Sequence, residues 1–158
     1  MDLRTSKIPI AQTLSNIMRS ILALAIARAP IFIVVIALSL RFYGINWDQG
    51  GLFHPDERAL LFHVNDMSWP PLAKLGIILN AQESPLNPRW FPYGSLPMYA
   101  VKIVQGISLP IKEMNFNELL FVGRSLSALA DVGTVIMVFL LGHRLYNRRV
   151  GILASLLL

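Results

Sequence analysis

The chain has 158 residues, of which 54% are hydrophobic and only 15% charged, and its net charge is +5. That balance, with a mean hydropathy of +0.55, is too apolar for an ordinary soluble domain. The absence of cysteine excludes a disulfide framework, thiolate chemistry and cysteine-based metal sites.

Residues 1–19 carry Arg4, Lys7 and Arg19 and read as a cytoplasmic N-terminus. Ser20–Leu40 follows, with Arg28 as its only charge. As a helix it reaches about 31 Å, enough to cross a bilayer, and it is predicted as transmembrane helix 1. The small residues between Ala23 and Ala29 resemble a signal-peptide cleavage region, but the apolar run continues past Arg28 to span length. Residues 41–124 form a long polar-and-apolar segment. Ser125–Gly142, with Asp131 as its only charge, is predicted as transmembrane helix 2, about 27 Å long. Residues 143–149 (His-Arg-Leu-Tyr-Asn-Arg-Arg) make a basic cytoplasmic turn. Residues 150–158 read as the start of a third span, so the chain is expected to be the N-terminal piece of a larger multi-pass protein.

Charge fixes the expected orientation. The 41–124 segment carries Arg41, Arg58, Lys74, Arg89, Lys102, Lys112 and Arg124 against Asp48, Asp56, Glu57, Asp66, Glu83, Glu113 and Glu118, a net of zero. All the excess positive charge therefore lies in the N-terminal 28 residues and in 143–149. The positive-inside rule then puts both of these in the cytoplasm and 41–124 outside. The apolar run 95–109 is too short to add a crossing and contains Pro97, Lys102 and Gln105, so it is expected to lie at the outer interface. The expected fold is an all-α integral membrane protein, a multi-pass helical bundle fragment whose non-cytoplasmic loop contains short interfacial helices. Bases scattered this way form no patch for nucleic acid.

Within the loop, Pro55–Ser68 has the marks of a helix. Proline suits the first turn, Asp56 and Glu57 complement the positive end of the dipole, and Leu60, Leu61, Val64 and Met67 line one face. Trp69-Pro70-Pro71 should stop it. A shorter helix is predicted over Leu72–Leu79, and Glu83–Pro92 is rich in turns.

The tetrapeptide His54-Pro55-Asp56-Glu57 carries the candidate chemistry. Carboxylates in a first helical turn are favourable on dipole grounds alone, which is a sufficient structural explanation. The functional reading gives one carboxylate the task of removing a proton from an attacking hydroxyl. Neighbouring helical residues point about 100° apart, so the second must position a neighbour or a cation. The candidate catalytic residues are Asp56 and Glu57. Arg124, a planar fork suited to phosphate, is the first candidate for substrate binding, with Arg89, Lys102 and His54 behind it. The spacing of His54, Glu57 and His63 is not that of a zinc site, so no metal ligands are assigned and no cofactor is evident; a divalent cation would still be compatible with the pair.

The order of these features resembles the N-terminal end of GT-C-type integral membrane glycosyltransferases, especially the protein O-mannosyltransferase and aminoarabinose transferase families. The residues that carry the resemblance are His54-Pro55-Asp56-Glu57-Arg58, the stretch Phe91 to Tyr99, Gly123-Arg124-Ser125-Leu126-Ser127-Ala128-Leu129-Ala130, and Leu141 to Gly151. The resemblance covers roughly residues 41–158. It implies transfer of a sugar from a polyprenyl-phosphate-linked donor to an acceptor hydroxyl on the non-cytoplasmic face of the cell membrane, with Asp56 as base and membrane lipid as surroundings. The proline-aromatic stretch departs from the family's Pro-Pro-Leu-Tyr form. The alternative is a non-catalytic membrane module, a scaffold or assembly subunit with a transferase-like fold. The 158-residue piece alone is expected to be inactive, because two spans and part of a third cannot enclose a substrate.

Overall fold

The computed structural model describes residues 10–109 and 111–158. Arg4 and Lys7, expected in the cytoplasm, lie outside the described residues. The protein is all-helical, with no strand among the described residues. Two helices, α1 (Ile10–Phe42) and α4 (Phe116–Leu145), are long and apolar enough to cross a membrane. Only 11% and 17% of their most apolar windows are buried within the protein, so neither is covered as the core helix of a soluble protein would be. Such helices satisfy their own backbone hydrogen bonds, as passage through lipid requires.

The chain resolves into two compact units. The first comprises the chain up to Leu40 together with Asp131–Leu158, the latter including α5 (Arg148–Leu156). Its core is Ile33, Ala37, Val132 and Val135, flanked by Val34, Leu38 and Ile152. The spacings of four and three put each pair on one helix face. Pro30 lies inside α1 and has no N–H to donate to the carbonyl four residues back, that of Ile26. Arg148 fills this gap: its Nε donates to the Ile26 oxygen at 3.0 Å and its Nη2 to that of Ala27 at 2.7 Å. The turn from α4 to α5 is tight because Gly142 and Gly151 meet. A Cβ on Gly142 would stand 2.8 Å from the Gly151 Cα, so any larger residue there would force the helices apart. Asn147 caps α5 by accepting from the Val150 N–H at 3.1 Å.

The second unit is Arg41–Ala130. It contains α2 (Pro55–Asp66), a 3₁₀ segment (Leu72–Leu79), α3 (Leu96–Ser108) and the first turns of α4. Leu61, Val64 and Met67 from α2 and its end pack with Leu86, Met98, Val101, Leu119 and Leu120 into one core. The helix predicted over 55–68 ends at Asp66, and Met67 takes an extended conformation as its cap. The segment predicted over Leu72–Leu79 forms as a 3₁₀ helix kinked at Lys74, and its Leu72, Leu75 and Leu79 are exposed rather than packed. α4 begins earlier than hydropathy alone predicts, because a reciprocal capping box starts it. Asn115 N–H donates to Glu118 Oε2 at 2.9 Å, and Glu118 N–H donates to Asn115 Oδ1 at 3.0 Å.

Candidate functional site

Helix periodicity divides the Asp-Glu pair. Glu57 shares a stripe of α2 with Leu61 and Val64, both buried, and so turns towards the core of its unit. Asp56 shares the next stripe with His63 and is exposed.

Glu57 meets Arg124. The guanidinium Nη2 donates to Glu57 Oε2 at 2.7 Å, and Nε lies 3.2 and 3.3 Å from the two carboxylate oxygens. The same guanidinium holds Asp48 in a bidentate fork, Nη1 to Oδ1 at 2.8 Å and Nη2 to Oδ2 at 2.9 Å. Nη1 also donates to the Ile45 carbonyl at 2.9 Å, and the Trp47 ring covers the guanidinium at 5.5 Å. The Asp48 side chain is wholly buried, that of Arg124 is 8% exposed and that of Glu57 34%. Its hydrogen bonds to Arg124, reinforced by the Gly50 N–H, hold the Asp48 carboxyl at about 2, well below the ordinary 3.8. The turn that aims Asp48 inward has Gln49 and Gly50 in the left-handed region, at φ 50° and 82°.

Asp56 has different company. Tyr93 is its neighbour, and the hydrogen-bonding pull and negative charge of the Asp56 carboxylate push the Tyr93 phenol above its ordinary value. Tyr93 stands edge-on to Trp90, with centroids 5.6 Å apart, and Trp90 stacks on His63 at 4.8 Å. The turn-rich stretch thus packs on α2 through Trp90 at His63. An exposed carboxylate is open to a hydroxyl whose proton it could accept.

The remaining candidate cations divide in the same way. Lys102 is buried on α3, and its ammonium donates to the carbonyls of Val64 and Met67, closing the C-terminal end of α2. Burial pushes its pKa down. Arg89 is exposed, at φ 52°, with its Nη2 3.4 Å from the Gln82 carbonyl. His54 is exposed at the N-cap of α2 and makes no side-chain capping bond there. The three guanidinium nitrogens of Arg124 face oxygens of the protein, and the Lys102 ammonium braces the end of α2. Of the four candidate cations, Arg89 and His54 are the exposed ones. Asp48, Trp47 and Tyr93 are site residues that the sequence reading did not select. Among the described residues, no group of three histidine or acidic side chains converges as metal ligands.

No protein-family model matches the chain, and neither a curated protein nor a solved structure matches it significantly.

Proposed function

We propose that the chain belongs to a membrane glycosyltransferase that moves a sugar from a polyprenyl-phosphate-linked donor to an acceptor hydroxyl on the non-cytoplasmic face. The observation that carries this reading is the division of labour in the Asp-Glu pair. Glu57 is tied to Arg124, while Asp56, one residue earlier, is exposed. In the reaction, Asp56 takes the proton of the acceptor hydroxyl as its oxygen attacks the anomeric carbon. The bond from that carbon to the phosphate oxygen breaks, and polyprenyl phosphate leaves with the electron pair. Arg89 and His54, both exposed, are the residues of this chain that can face the departing phosphate. On this reading the spans are part of a multi-pass bundle, and the charge asymmetry supports a cytoplasmic N-terminus.

Transfer by Asp56→Asn protein in lipid tests the reading; undiminished transfer removes Asp56 as base. With no native cysteine to interfere, a single Asp56→Cys substitution also reports topology. Labelling by a membrane-impermeant thiol reagent from the cytoplasmic side alone would contradict the orientation.

A second reading, a non-catalytic membrane module, draws on the internal engagement of Arg124 and Lys102. It expects Asp56→Asn to leave function intact and substitutions on the Leu60 and Val64 face to impair assembly.

A further inference from the structure

The second unit has a groove of about 680 Å³ between the 46–50 turn, the end of α3 and the start of α4. That volume falls in the range of small-molecule sites, roughly 300–1,000 Å³. Its chemistry is that of carboxamides. Asn46 and Gln49 come from the turn and Asn117 from α4, all three exposed, and among the described residues none of these side chains has a hydrogen-bond partner. The one ion pair in the lining, Lys112 with Glu118, is internally compensated. Phe121, 51% exposed, supplies an aromatic face.

We infer that this groove binds a neutral, polyhydroxylated ligand, a sugar ring. Each carboxamide offers both a donor and an acceptor, matching hydroxyls that do the same, whereas a lining with balanced charge gives no net attraction to an anion or a cation. Apolar C–H faces of a pyranose fit an exposed aromatic ring. Backbone conformation also shapes the groove. Gly50 sits at φ 82°, and a Cβ on it would stand 2.9 Å from the Asn117 side chain, so only glycine lets that amide approach the turn. The turn is anchored from behind, because Asp48, between Asn46 and Gln49, is locked on Arg124. Asn46 and Gln49 therefore sit on a fixed base. The preference for a neutral polyol follows from the lining; naming it the transferred or accepting sugar rests on the transferase reading.

The test is saturation-transfer NMR on the chain in nanodiscs, with methyl α-mannopyranoside and methyl β-glucopyranoside as probes and inorganic phosphate as the anionic control. We expect saturation transfer to at least one glycoside, reduced fivefold or more by Asn117→Leu and by Phe121→Ala, with phosphate neither binding nor competing. Two groove variants are used so that a folding defect in one, seen by circular dichroism, leaves the other to decide. No transfer to either glycoside, transfer unaffected by the folded variant, or competition by phosphate would overturn the inference. Glycoside binding that persists in Asp56→Asn protein supports the groove even where the transfer assay refutes the catalytic reading.

Discussion

Replacing Arg124 by methionine tests the central cluster most directly. The change keeps the length of the side chain and removes its charge, leaving the buried Asp48 carboxylate and the partly buried Glu57 facing each other with no cation between them. Five charge-assisted contacts to two carboxylates and one to the Ile45 carbonyl disappear. Stripping one partner from a buried ion pair costs about 3–5 kcal/mol, most of it from the uncompensated charge left behind. At roughly 3 °C per kcal/mol for a chain of this size, Tm should fall by about 10–15 °C. Differential scanning fluorimetry in detergent measures it. The companion variant Arg124→Met/Asp48→Leu removes both buried charges and should recover part of the loss, because a buried pair replaced by apolar groups is close to neutral. A fall in Tm under about 3 °C for Arg124→Met, or a double variant less stable than the single one, would refute the reasoning.

Three further outcomes are expected. Because the Asp48 carboxyl titrates at about 2 when folded and at the ordinary 3.8 when unfolded, its contribution is complete above the higher value and lost as pH falls towards the lower. The Tm difference between the native chain and Asp48→Asn should therefore be flat from about pH 7 to 5 and shrink as pH drops below about 4; a difference unchanged down to the acid limit would argue against the pairing. Arg148→Leu should cost about 1–2 kcal/mol in the native background and less with Pro30→Ala, which restores an N–H for the Ile26 carbonyl. A thermal double-mutant cycle reads that coupling, and simple additivity would deny it. On the transferase reading, Tyr93→Phe should lower sugar transfer by up to about tenfold, the scale of one contact to a charged group, with little change in Tm; unaltered transfer would show that Tyr93 has no part at Asp56.

Local rules made much of this architecture legible in the sequence. Hydropathy found both long helices, and proline with first-turn acids found the start of α2 at Pro55. The inward direction of Glu57 was implicit in its four- and seven-residue spacing from Leu61 and Val64. Its cation was harder to assign, because an arginine at the mouth of a span reads equally well as a headgroup anchor. Asp48 could not be selected, since it reaches Arg124 from 76 positions away and only the folded turn aims it inward. Lys102 was read as a candidate substrate contact, and its acceptors, the free carbonyls at the end of another helix, lie 35 and 38 positions away in the chain, beyond the reach of local rules. Pro30 leaves the Ile26 carbonyl without its helical N–H, but nothing in the sequence said that Arg148, 122 residues from Ile26, would supply a donor.

The two acids of the motif illustrate why a structural explanation and a functional one need not compete. A first-turn carboxylate is stabilised by the helix dipole wherever its side chain points, so that effect cannot distinguish Asp56 from Glu57. What distinguishes them is the face each occupies. Glu57, with Asp48 and Arg124, joins α2 and α4 to the 46–50 turn within one unit, and so fixes where the first turn of α2 begins. Asp56, one residue earlier and about 100° around the helix, inherits that fixed origin. Tyr93 is its neighbour on the exposed side. An exposed carboxylate on a frayed helix end would sample many directions and lose the positional advantage on which general-base chemistry depends. The buried acid therefore serves the exposed one. On this view Glu57→Gln should impair any chemistry at Asp56 through misplacement, whereas Asp56→Asn should abolish it and leave the Arg124 cluster in place.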